Sequence, residues 1–173
     1  TFVLDGMSKL AGAPQLKLGW IALAGPAAWR AEAAARLEVI ADSYLSASAA
    51  AMNAAPALLA DVDAFVGSLR ARLARNLGSL RATLEGPLSP FRVLRCEGGW
   101  TALVEAPRFE SEEDTALALI EREGVRAHPG HFFDLEREGA FALSLILEPG
   151  RFDEGVRRFR RCFDGLQAAG SER

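Results

Sequence analysis

Between Leu58 and Leu84 apolar residues return every three or four positions: Leu58, Val62, Phe65, Leu69, Leu73, Leu77, Leu80 and Leu84. That period lays one apolar stripe along a helix of roughly seven turns. Gly86-Pro87 stops the helix, and "PLSP" makes a linker. A helix of this length constrains everything around it, because helices this long often bridge two domains or two subunits. The chain therefore reads as three segments: 1–54, a long bridging helix over 55–86, and a second domain over 87–173. Just ahead of the stripe, "SASAAAMNAAP" ends in Pro56 and is read as a short helix or a bend.

Beyond the linker the pattern changes from helical to alternating. "FRVLRC" and "WTALVEA" flank Glu97-Gly98-Gly99, the signature of a hairpin turn. Ser111-x-x-Asp114 predicts the start of a helix that Gly124 closes. "VRAHPG" predicts a short strand running into a turn, and Ala140 to Leu147 a buried strand. Pro149-Gly150 ends that strand, and "RFDEGVRRFRRCFDGLQAAG" predicts a final amphipathic helix. The expected fold is α+β, about four strands with helices on one side, behind the bridging helix. Ahead of the bridge, Phe2 to Leu4 read as the end of a buried strand closed by Asp5-Gly6. Leu16 to Ala24 is apolar enough for a strand covered on both faces, and Ala27 to Leu45 is strongly helical.

Composition narrows the function classes. With 173 residues and a net charge of −3, nothing draws the chain as a whole towards nucleic acid or an anionic membrane. "LRARLARNLGSLR" and "RRFRR" fall on predicted helices with apolar residues between the charges, so they read as solvated faces. No apolar run approaches the ~20 residues of a membrane span. Cys96 and Cys162 lack CxxC spacing and read as free thiols of a reducing compartment, the cytoplasm. "TFVLDG" has no basic region of a signal peptide and opens on a strand-like run without Met, as a piece of a longer protein would.

The residues with most chemical content lie in "LDGMSKLAGAPQLKLGW", Leu4 to Trp20. Lys9 comes after a predicted strand and a glycine, where backbone passes close to a ligand. A lysine desolvated in a cleft loses its proton and forms a Schiff base with an aldehyde, which is what pyridoxal phosphate requires. The phosphate of that cofactor needs hydroxyl donors, backbone N–H groups and a fixed cation; Ser8 offers the first and Lys17 the last.

"SKLAGAPQLKLGW" resembles the cofactor-lysine signature of the fold-type I pyridoxal-phosphate-dependent aminotransferases of class I and II. That signature has Ser-Lys, a small Gly-rich turn, a basic residue eight positions after the lysine, and then x-Gly-aromatic. Lys9, Lys17, Gly19 and Trp20 stand in that register. "CEGGWTALVEAPR" resembles the family's small-domain hairpin, "GVRAHPGHFF" its later turn, and "FALSLILEPGRFDEGVRRF" its last strand and helix. The resemblance implies that 1–54 is the end of the large cofactor-binding domain and 87–173 the C-terminal small domain. It implies pyridoxal 5'-phosphate held covalently by Lys9, with Lys17 at its phosphate; Ser8 stays a cofactor-binding candidate on its own hydroxyl chemistry. The parent would move an amino group between an amino acid and a 2-oxo acid, as a homodimer, and these residues alone would be inactive.

Three positions depart from the family pattern. Lys17 stands where the family usually has Arg, and Gly6 where it often has Ser. Ala142 stands where the last strand usually carries the Arg that clamps the substrate carboxylate, leaving Arg126, Arg137 and His131 as candidates for that contact. His128 and His131 flank Pro129-Gly130 and read as turn residues, since two histidines without further ligands make a poor metal site. Two other readings of the same resemblance stand beside the enzyme: the aminotransferase-like sensor domain of a transcription regulator, and a cofactor-free interaction domain.

Overall fold

A computed structural model describes residues 1–135 and 138–171. The chain divides into two compact units, Thr1–Leu69 and Arg70–Arg173.

The first unit opens with an antiparallel ribbon of two strands, β1 (Phe2–Gly6) and β2 (Gly19–Leu23), with Phe2 opposite Leu23 and Gly6 opposite Gly19. A short helix α1 (Met7–Leu10) and a tight turn over Pro14–Leu16 lie between the strands. Helix α2 (Ala27–Ala41) starts after Pro26, and its Trp29 meets Phe2 edge-on at 5.2 Å between ring centroids. Both strands were expected to be buried; instead their side chains are largely exposed, Leu4 at 72% and Val3 at 52%. The second strand is also shorter than the apolar run Leu16 to Ala24, because Pro14–Leu16 coils first. An apolar run fixes what a strand could bury, but burial needs a layer on each face. This unit lays no such layer over its two-stranded ribbon.

"SASAAAMNAAP" is helical: α3 spans Ala49–Ala60 with Pro56 inside it, and Ser48 Oγ accepts from Ala51 N. The apolar stripe is thus cut at Asp61, and α4 runs Val62–Leu84 across the boundary between the units. Taken singly, no helix among the described residues is long and apolar enough to cross a membrane.

The second unit carries a four-stranded antiparallel sheet in the order β3 (Arg92–Val93), β4 (Thr101–Glu105), β6 (Ala140–Ser144), β5 (His128–Pro129). The hairpin expected at Glu97-Gly98-Gly99 joins β3 to β4, with Gly99 at φ 73°. Ser111 Oγ accepts from Asp114 N at the start of α5 (Glu112–Glu123), and Gly124 closes it at φ 63°. β6 ends at Ser144, short of Leu147, and α6 (Pro149–Ser171) begins on Pro149 itself. Proline costs nothing at a first helical position, and Glu148 Oε2 accepts from Gly150 N to close that turn.

Strand alternation decides the core. Ala102 and Val104 of β4, and Phe141 and Leu143 of β6, join Phe152, Phe159 and Phe163 of α6 in one buried cluster. Phe141 and Phe163 meet at 5.8 Å, and Phe91 and Phe163 at 5.3 Å. Each buried phenylalanine contributes about 1.5–3 kcal/mol. Leu80 and Leu84 complete this core from the last turns of α4. Fully buried Asn76 adds a polar tie, its Nδ2 donating to Leu145 O at 2.8 Å and Leu147 O at 2.9 Å.

Candidate active site

Where the ribbon of the first unit closes, the two strands come closer than a side chain allows. A Cβ on Gly6 would stand 2.8 Å from the carbonyl oxygen of Leu18. Next to it, Met7 N donates to Leu18 O at 2.9 Å. The Met7 side chain is fully buried, and its carbonyl accepts from Ala11 N and Ala13 N. Met7 is therefore the anchor of this loop, and Ser8 and Lys9 come directly after it. On the other arm, Lys17 adopts the left-handed conformation, φ 51° and ψ 37°, at the end of the tight turn. For a residue with a Cβ that costs on the order of 1–2 kcal/mol. It turns the chain from the coil into β2.

The outcome is one open depression in which Ser8, Lys9 and Lys17 stand together with Asp5, Gly6 and Gly19. Lys9 and Lys17 are exposed and Ser8 is half-buried. Asp5 Oδ1 accepts from Gly6 N at 2.7 Å, so this carboxylate serves the adjacent backbone. Two ammonium groups, a hydroxyl and glycine backbone in one depression make a surface suited to an anion. These donors fit a phosphate-bearing aldehyde: one amine to bond it, one cation and one hydroxyl to meet its charge. Gly6 also acquires a structural reason, since a serine there would press its Cβ against Leu18 O.

The sequence profile described as "Aminotransferase class I and II" matches residues 1–159. The chain belongs to the class I and II aminotransferase family. Among solved structures, a PLP-dependent aminotransferase from Streptococcus suis superposes with a TM-score of 0.78 at 24% identity, over 94% of this chain and 42% of its own. An alanine aminotransferase from Pyrococcus furiosus gives 0.79 at 18% identity, over 95% of this chain and 42% of its own. An α-aminoadipate aminotransferase from Thermus thermophilus, complexed with N-(5'-phosphopyridoxyl)-L-leucine, gives 0.71 at 23%, over 97% and 43%. The chain thus spans less than half the length of these structures. A search of curated proteins returned no match.

The remaining candidate residues of this aminotransferase-family chain lie in the second unit, and the structure separates them. Ala142 is buried in the middle of β6, opposite Leu103 on one side and His128 on the other. Directly opposed residues of an antiparallel pair share a face. His128 therefore lies on the face of Ala142, while Phe141 and Leu143 turn to the helices. Arg126 borders a groove with Arg151 and Arg158 of α6. Arg137 lies outside the described residues. His131 is committed elsewhere: its Nδ1 lies 3.1 Å from Glu112 Oε2, which also accepts from His131 N.

Glu112 gave no chemical signal beyond an acid in a helix's first turn. It holds His131 through Oε2, and its Oε1 accepts from Gly139 N at 2.6 Å and Ala140 N at 3.0 Å. Burial pushes its pKa up, but the donors from His131, Ala140 and Gly139 outweigh burial and hold it below the usual carboxylate range. This carboxylate fixes the turn Gly130–Phe133 to the start of β6, leaving Phe132 and Phe133 exposed beside His128. Among the described residues no group of three or more His, Cys, Asp or Glu side chains is placed to hold a metal ion.

Proposed function

We propose that this chain is the C-terminal part of an aminotransferase that transfers an amino group between an amino acid and a 2-oxo acid, with pyridoxal 5'-phosphate bonded to Lys9. The observation that carries this reading is the meeting of Lys9, Lys17 and Ser8 in one depression, in a chain of this family. Lys9 Nζ is the covalent anchor. Lys17 Nζ is the cation for the phosphate and Ser8 Oγ a hydroxyl beside it. When bound, the cofactor supplies an electron sink for the substrate's α-carbon. Lys9 Nζ would hold the cofactor and would take and return the proton at that carbon.

The depression is open and its Lys9 and Lys17 are exposed, so these residues offer a covalent bond and counter-charge but no enclosure for a ring. We therefore assign no transaminase activity to the 173 residues alone. Phe2, Val3, Leu4 and Ile21 of the ribbon, all exposed, support a parent in which further polypeptide covers these faces, as in a homodimer of the longer protein.

The test is borohydride reduction of the full-length parent with pyridoxal phosphate, followed by peptide mapping. A phosphopyridoxyl group on Lys9, lost in Lys9→Ala, supports Lys9 as the covalent anchor, in an enzyme or in a sensor domain of the same fold. Absence of label on Lys9 overturns it and returns the fold to a cofactor-free interaction domain.

A further inference from the structure

A second candidate site lies in the C-terminal unit, remote in sequence from Lys9 and independent of the cofactor reading. The loop after α5 (Gly124, Val125 and Arg126), the end of β6 with the turn after it, and α6 line an open groove of two joined parts. One part is apolar, floored by Leu143, Phe152 and Val156 and walled by Val125 and Leu147. The other is basic and carries Arg126, Arg151 and Arg158 against the single carboxylate of Glu154. Val125, Arg126, Leu147 and Gly155 belong to both parts, so the two are continuous.

The charges are unevenly satisfied. Glu154 already accepts from Arg157 at 2.8 Å and from Arg158 at 2.7 Å. Arg158 also donates to Glu123 O at 3.3 Å. Glu148 closes the first turn of α6, which leaves the helix terminus satisfied without a ligand. Among the described residues the guanidinium groups of Arg126 and Arg151 make no hydrogen bond or ion pair, unlike those of Arg75, Arg92, Arg157, Arg158 and Arg161. A Cβ on Gly155 would meet nothing within 4 Å, so space stands open above the helix where the two parts join.

We propose that this groove binds an aliphatic carboxylate, its carboxylate on Arg126 and Arg151 and its chain along Val125 and Leu147, above the buried Leu143, Phe152 and Val156. Guanidinium groups bind carboxylates with charge-assisted bonds, and covering exposed Leu147 and half-buried Val125 removes apolar surface from water. The net positive lining favours a carboxylate without an ammonium group over an amino acid.

The experiment uses the 15N-labelled chain titrated with octanoate, octylammonium and inorganic phosphate separately. Octanoate is expected to give saturable amide shifts at Val125, Arg126, Leu147 and Gly155. Octylammonium and phosphate are expected to give none there. Arg126→Ala with Arg151→Ala should weaken octanoate by about tenfold or more, since two charge-assisted contacts are lost. Gly155→Leu keeps every charge, places a good helix former in α6 and fills the open space; it should abolish binding while amide shifts elsewhere stay unchanged. The proposal is overturned if octanoate gives no saturable shift, if phosphate or octylammonium matches it, or if either variant binds as the parent chain does.

Discussion

Replacing Asn76 by leucine tests whether the C-terminal unit is held by one buried amide. Asn76 is fully buried, and its Nδ2 bonds Leu145 O at 2.8 Å and Leu147 O at 2.9 Å. Those carbonyls come just after β6, where the chain leaves the sheet for α6. Leucine fills a similar volume but strands both acceptors. A buried polar group left without its partner costs about 1–3 kcal/mol. The contact to Leu147 is only partly buried, so water recovers some of its loss. The expected destabilisation is about 2–4 kcal/mol. With a urea slope of about 1–2 kcal/mol/M for a unit this size, the midpoint falls by about 1–4 M. Trp100 reports this unit, being its only tryptophan, so fluorescence is read with Trp20 and Trp29 changed to Phe. An equal slope with a midpoint loss worth less than about 0.5 kcal/mol, the scatter of ordinary surface changes, would refute the reasoning.

Three further outcomes are expected. Arg75 grips Asp153 with bonds of 2.7 and 2.5 Å and Ser79 adds one of 2.6 Å, and together these hold Asp153 down from 3.8 to about 2. A depressed folded pKa means stability that is present above 3.8 and lost as pH falls towards about 2; Asp153→Asn should lower the Tm at neutral pH and flatten its decline across that window. Gly6→Ala puts a Cβ 2.8 Å from Leu18 O, so the Met7 N–H that bonds this oxygen should exchange faster with solvent deuterium, and unchanged protection would count against the close approach. In the full-length parent, Lys17→Ala should weaken pyridoxal phosphate several-fold, read by absorbance titration, with Lys17→Arg restoring it.

The candidate site was legible in part. Ser8, Lys9, Lys17 and the glycines were readable because their chemistry and spacing are local. Met7 was not, since a methionine beside a lysine says nothing until its burial and its bond to Leu18 O are known. Asn76 left a faint trace, a polar residue three after Leu73 and four before Leu80 on the apolar stripe. Glu112 left none, because its four donors come from segments 19 to 28 residues away.

The sequence by itself determined several element ends, since periodicity, prolines and glycines act through neighbours along the chain: the stripe ending at Gly86-Pro87, the hairpin at Gly98-Gly99, the helix closed by Gly124. It also determined which residues could carry chemistry. Only the tertiary structure decided burial and partnership: the exposure of β1 and β2, the break at Asp61, the pairing of Ala142 with His128, and the open groove at Gly155. Those depend on which surfaces meet, and surfaces are assembled from segments that the order of residues keeps apart.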